Sequence, residues 1–304
     1  MKQLLKNISP FNNRTDMPVA VFVIKKILAF WVCYIAGLFI AEGLVILLHF
    51  AFGKNMLVGD VFDAQTITLI IYYGYVVVIG IALFYWKKVE KKPLSAMGLA
   101  KGAGTYFIGG VTGILLLMVS VILIVLMGSI EYHGVFENID IFVIVLFIGG
   151  FVVQGAMEEI LCRGIVFHAL KEKTSLPIAI AVSTLMFILP HWSSLFEGKA
   201  IYGVIGIINQ ILISIIFCLF TIRFQSIWAA CGLHSLWNAI LYSVLGLNLS
   251  GNDETVAAVF NMKSVGENVW NGGKYGIEAS IITTVVLAVA IAVICFFGKK
   301  EGKR

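Results

Sequence analysis

Apolar residues run in eight blocks, 27–52, 66–86, 105–127, 141–170, 176–192, 201–222, 226–246 and 276–297, separated by short polar stretches. Roughly twenty residues rising 1.5 Å each cross a hydrocarbon core about 30 Å thick. A backbone in hydrocarbon must bond to itself, and within a single segment only a helix achieves this. The pattern therefore predicts an all-α fold, a polytopic transmembrane helical bundle of about eight spans forming one integral membrane domain, 1–304. The longest connection, about 247–275, is too short for a soluble domain and no internal repeat is visible. The opening MKQLLKNISPFNNRTDM lacks the apolar run and small-residue cleavage site of a signal peptide, so the first span is expected to act as its own insertion signal.

Composition narrows the function. With 60% hydrophobic and only 13% charged residues, the chain has about half the charged share (~25%) of a soluble domain, which excludes a soluble enzyme. The net charge of +5 does not point to nucleic acid, because the basic residues cluster at the ends of the spans. Assigned to alternate sides, 18 of the 22 Lys and Arg fall on the side of the N-terminus and only Lys54, Lys199, Lys263 and Lys274 on the other. The positive-inside rule then puts both termini in the cytoplasm, which requires an even number of spans. The basic segment WKKVEKKPLSAMGLAKG reads as a headgroup-binding loop, so the lipid bilayer is the first partner expected. Five scattered cysteines without CxxC spacing argue against disulfides or a zinc ribbon. Gly109 with Gly113, and Gly206 with Gln210, form small or polar stripes that predict close helix packing.

Several polar residues lie inside the spans. An ionised side chain facing lipid at a helix centre costs about 2.5–3.5 kcal/mol, so Glu158, Glu159 and Arg163 must face protein or water. Arg163 follows Glu159 by four residues, a favourable order for an ion pair, whereas Glu158 is rotated about 100° away and is left without that partner. In FILPH, Pro190 removes a backbone donor and predicts a kink or helix end beside His191. In HSLWN, His234 and Asn238 project from one helical face. Helical rise puts Glu158 and Asn238 roughly 18 Å, His234 roughly 12 Å and His191 roughly 22 Å from the basic end, close enough to converge near mid-bilayer. Cys162 has no histidine at a helical neighbour position and reads as apolar filler; His49, His133 and His168 read as structural, and Glu42 has no assignable partner.

At these residues the chain resembles the CPBP family of intramembrane proteases, which includes the CAAX prenyl endopeptidases and bacterial bacteriocin-processing and self-immunity (Abi) proteins. The family motifs EExxxR, FxxxH and HxxxN read here as EEILCR from Glu158 to Arg163, FILPH from Phe187 to His191, and HSLWN from His234 to Asn238, in the family's order on three spans. The resemblance covers a catalytic core at about 141–246. It implies an intramembrane endopeptidase in which Glu158, His191, His234 and Asn238 are catalytic, with Glu159 and Arg163 supporting. A buried carboxylate with no cationic partner is a natural general base, so Glu158 and His191 would activate a water while His234 and Asn238 bind the oxyanion. A competing zinc site would use Glu158, His191 and His234, but HExxH is missing and Asn238 suits an oxyanion better than zinc, so no metal is favoured. The expected substrate is a hydrophobic or membrane-bound peptide, and the Ile-, Lys- and Asn-rich composition points to a bacterial cell membrane. The other readings of the same polar cavity are a non-hydrolytic immunity protein or proton-coupled transporter, and an acyl or lipid transferase. The snorkelling tendency of Arg163 predicts a cavity open towards the basic, cytoplasmic side.

Overall fold

A computed structural model describes residues 7–99, 102–251 and 258–301. The apolar blocks become helices whose ends are set by local chemistry. Helix α1 (Val19–Ala51) starts directly after Pro18, where a missing N–H costs nothing. Helix α2 (Ala64–Phe84) is capped by Asp63, which accepts from Thr66 N at 2.9 Å, and runs on through one π-helical turn to Val89. Helix α3 spans Thr105–Leu126. Helix α4 (Ile141–Lys171) is capped by Asp140, which accepts from Val143 N at 3.1 Å, and carries a π-helical stretch at Ile160–Phe167. Helix α5 (Leu176–Leu195) has Pro177 in its first turn and tightens to a 3-10 turn at Leu189–His191. Helix α6 (Ala200–Phe224) stops where Gln225 turns left-handed. Helix α7 (Trp228–Ala239) continues as π-helix to Val244, and α8 covers Ile281–Glu301.

Among the described residues, six helices, α1 to α6, are long and apolar enough to cross a membrane. The two further blocks expected to span, 226–246 and 276–297, form shorter helices: α7 with its π-helical end, and α8, whose apolar run is Ile281–Phe297. The all-α expectation needs one addition. Strands β1 (Ile130–Val135) and β2 (Phe260–Ser264) pair antiparallel, Ile130 opposite Ser264 and Tyr132 opposite Met262. Both lie in connections outside the apolar blocks, where the run of apolar residues that marked every helix is absent.

The basic segments gather at one end of the bundle. Lys26 forms a fully buried pair with Glu90 at 2.6 Å, Lys92 pairs with Glu172, and Ile227 N donates to Gly98 O at 3.1 Å, which ties α1, α2, α4 and the start of α7 together. The sheet, Lys54 with Asp60, and Lys274 with Glu197 lie at the opposite end. Glu42 stays exposed on α1, while His49 is buried, bonded at Nδ1 to Val45 O and accepting at Nε2 from Phe62 N, in keeping with a structural role.

The Gly109 and Gly113 stripe does bring two helices close. A Cβ on Gly109 would lie 1.8 Å from Ala229 O, one on Gly113 2.6 Å from Leu233 O, and one on Gly232 1.9 Å from Tyr106 O, so α3 and α7 meet backbone to backbone. This contact sets the position of the helix that carries His234 and Asn238. Gly232→Ala is expected to force the two helices apart and to cost about 1–3 kcal/mol, as overpacking does. Gly80→Ala, whose Cβ would meet nothing within 4 Å, serves as control. Thermal unfolding in detergent should show a lower midpoint for Gly232→Ala and none for the control; equal midpoints would show that the helix contact is not tight.

Candidate active site

Helices α4, α5, α6 and α7 build the site around a buried carboxylate. Glu159 Oε1 accepts from Arg163 Nη1 at 3.1 Å, the pair expected from the spacing, and also from His234 Nδ1 at 3.1 Å. Both Glu159 and Arg163 are completely buried. Arg163 Nη2 donates to Ser214 Oγ at 2.5 Å, and Ser214 Oγ in turn lies 2.9 Å from Thr184 Oγ1. The guanidinium lies 4.9 Å from the ring centre of Phe187 and 4.8 Å from that of Phe217, and Phe217 stacks on the His234 ring at 5.2 Å. Such aromatic faces stabilise a desolvated cation. Glu159 is thus more than a partner for Arg163, because it also orients His234.

Glu158 has no ion-pair partner among the described residues. Gln154, one turn earlier on α4, donates to its Oε1 at 2.5 Å, and Asn238 Nδ2 donates to Gln154 Oε1 at 3.0 Å, so the carboxylate and the α7 amide are linked through one side chain. Pro190 acts as expected: the α-helix ends at Ile188 and His191 sits in the 3-10 turn. His191 Nδ1 lies 3.0 Å from Phe187 O. A carbonyl can only accept, so this bond assigns the proton to Nδ1 and leaves Nε2 with a lone pair.

These groups share one cavity of about 300 Å³, lined by Glu158, His191, His234 and Asn238 among others, with Glu159 and Arg163 packed behind it. The zinc alternative asks for three donors around one point. Among the described residues, no three His, Cys, Asp or Glu side chains come together in that way. The set Glu158, His191 and His234 therefore does not fit a zinc site. Cys162 is buried in the core, with its carbonyl taken by Ser183 Oγ at 2.9 Å.

The expected opening towards the basic end is corrected. On that side of Glu158 and His234 the residues Leu161 to Phe167 and Ala229 to Leu233 are buried, and Arg163, engaged by Glu159 and two aromatic rings, does not reach a headgroup layer. The cavity extends the other way, along Ser194, Asn209, Gln210, Leu249, Ser250 and Glu278.

Residues 140–240 match the family model of type II CAAX prenyl endopeptidases, Rce1-like. This segment holds Glu158, Glu159, Arg163, His191, His234 and Asn238 and leaves α1–α3, both strands and α8 outside the match. No curated protein and no solved structure matches the chain. Rce1-like proteins are membrane proteases, and the match together with the apolar helices supports a CAAX protease-like hydrolase embedded in the bilayer.

Sequence reasoning missed several residues of this site. Gln154 carried a usable signal, a lone amide one turn before Glu158 in an apolar helix. The adjacent amides Asn209 and Gln210 inside an apolar span carried another. Gln210 was assigned to a packing stripe, yet only Gly206 packs closely there, its Cβ position 2.6 Å from Leu195 Cδ2, while Gln210 lines the cavity. Ser214 and Thr184 carried none, since small hydroxyls are common in spans.

Arg163→Ala should behave as a folding variant, because it strands the buried Glu159 charge; the expected loss is about 3–5 kcal/mol. Combining Glu159→Gln with Arg163→Met removes both charges and should recover part of that loss. The check is extraction yield and thermal midpoint in detergent. An Arg163→Ala protein that melts like wild type would mean that the ion pair does not hold the bundle together.

Proposed function

We propose that the chain is an intramembrane endopeptidase that hydrolyses a peptide bond of a membrane-associated peptide, with both termini on the cytoplasmic side. The observation that carries this reading is Glu158, a carboxylate without an ion-pair partner among the described residues that shares one cavity with two imidazoles and an amide. In the proposed mechanism a water donates to Glu158 and to the lone pair of His191 Nε2. Glu158 takes the proton as the water oxygen attacks the scissile carbonyl carbon. The oxyanion accepts from Asn238 Nδ2–H and from His234 Nε2–H. Because Nδ1 of His234 already serves Glu159, Nε2 donates only when the ring is an imidazolium. The proton held by Glu158 then passes to the departing amine nitrogen as the C–N bond breaks. A donor aimed at the oxyanion is typically worth about 2.7–4 kcal/mol of barrier. The Rce1-like match favours hydrolysis over transport, immunity without cleavage, or acyl transfer.

Glu158→Gln and His191→Ala are expected to abolish cleavage while leaving thermal midpoints near wild type, since neither strands a buried charge and a glutamine at 158 still accepts from Gln154. The measurement is mass spectrometry of products after incubating purified protein with a panel of hydrophobic peptides. Cleavage that survives both substitutions would sink the assignment. Sidedness is tested separately by Ser194→Cys in a background without the five native cysteines. A membrane-impermeant thiol reagent should label it in intact cells, and labelling confined to inside-out vesicles would reverse the orientation.

A further inference from the structure

The end of the cavity away from Glu158 has its own construction. The segment before α8 folds over the site, and Glu278 lines the cavity there. Its Oε2 accepts from Ser250 N at 2.7 Å and Ser250 Oγ at 2.9 Å, while Oε1 has no partner among the described residues. The backbone is fixed as carefully. Asn209 Nδ2 donates to Glu278 O and to Ser280 O, both at 2.9 Å, and Thr284 Oγ1 donates to Asn209 Oδ1 at 2.6 Å. Beside it, Gln210 lines the same cavity and is only 7% exposed; its Nε2 donates to Tyr275 Oη at 2.8 Å, and its buried Oε1 has no hydrogen-bond partner among the described residues.

A buried acceptor without a donor is costly unless a ligand supplies one. Gln210 Oε1 is such an acceptor, enclosed in the cavity wall, and the free carboxylate oxygen of Glu278 belongs to a residue at the same end of the cavity. Among the described residues no Lys or Arg lines the cavity, and the guanidinium of Arg163 is shut behind Phe187 and Phe217; His191 and His234 act on Glu278 through space, but neither is hydrogen-bonded to it. Burial pushes the Glu278 carboxyl above the ordinary carboxylate range, with the Ser250 hydrogen bonds pulling the other way. An anion in that state gains strongly from a cation. The apolar walls at Ile213, Leu249 and Leu287 suit the aliphatic stem of a long basic side chain.

We propose that this end of the cavity is a recognition subsite for a protonated amine or guanidinium of the peptide substrate, with Glu278 Oε1 as the acceptor and specificity-determining group and Gln210 beside it in the wall. The proposal rests on the hydrolytic reading for its substrate class, but its test does not require turnover. Full-length protein carrying Glu158→Gln, so that nothing is consumed, is titrated in detergent with three blocked or free hydrophobic pentapeptides. One has a central lysine and blocked ends, one has norleucine in its place and blocked ends, and one has norleucine and a free N-terminus. Fluorescence of Trp237, which lines the cavity, reports binding.

The lysine peptide should bind about tenfold tighter than blocked norleucine, the effect of one charge-assisted hydrogen bond. Adding Glu278→Gln, which can still accept from Ser250, should bring the ratio near one, and Gln210→Leu should lower it partly. Glu278→Asp, which keeps the charge but shortens the reach, gives an independent check with an intermediate ratio. A preference for the free N-terminus that is lost in Glu278→Gln keeps the cation subsite and identifies the terminal ammonium as its ligand. Equal affinities, or a lysine preference untouched by Glu278→Gln, overturn the subsite even if wild-type protein cleaves peptides. A Glu278-dependent preference in a protein that cleaves none of them upholds the subsite and removes the hydrolytic reading alone.

Discussion

One carboxylate, that of Glu159, decides the geometry of everything around it. It is fully buried and receives Arg163 from its own helix and His234 from α7. Arg163 extends the connection to α6 through Ser214, and its guanidinium lies against Phe187 of α5 and Phe217 of α6. Four helices therefore take their relative positions from one charge. In a bilayer no water can replace a lost partner, so this arrangement is close to all-or-none. It also fixes chemistry. With Nδ1 of His234 committed to Glu159, Nε2 is the nitrogen left for the cavity, and the imidazole has one orientation rather than two.

The neighbouring carboxylate has the opposite character because it sits one residue earlier. Glu158 is rotated off the Arg163 face, and the polar contact it receives is the neutral amide of Gln154. The adjacent pair in EEILCR thus divides into an anion held in a buried ion network and one that lines the cavity. The π-helical stretch that begins at Ile160 follows directly, and π-helical turns inside α-helices are frequent at functional sites. A wider turn at this point changes which side chains stack above one another, so rise per residue becomes a poor ruler beyond Glu159.

The spans and the three polar clusters were legible in the sequence because both depend on short-range regularities. About twenty apolar residues make a helix whatever surrounds them, and an acid four residues before a base shares its face. The Pro190 break and the Gly109 and Gly113 contact followed from single-residue stereochemistry in the same way. The opening of the cavity was not legible. Arg163 snorkels only if no interior partner competes, and whether Phe187 and Phe217 flank it depends on how α5 and α6 pack against α4. The β1 and β2 pairing was hidden for a related reason, since strands separated by four helices and most of the bundle leave no local pattern that joins them.

The cavity is built from two parts of the chain with different constraints. Its floor, Glu158, His191, His234 and Asn238, lies within the Rce1-like segment 140–240. The far wall, Leu249, Ser250, Glu278, Thr283 and Leu287, lies outside it. The floor must satisfy the buried Glu159 and Arg163 charges as well as the chemistry, so almost no substitution there is neutral. The wall answers to fewer demands, chiefly the Asn209 bonds that hold its backbone and the Ser250 bonds that hold Glu278. A change of side chain at 278 or 249 would alter what the cavity accepts without disturbing the ion network beneath it. On the proposed hydrolytic reading, such a division would let one floor serve different membrane peptides through exchange of the wall, so the strongest sequence signals and the groups that choose a substrate need not coincide.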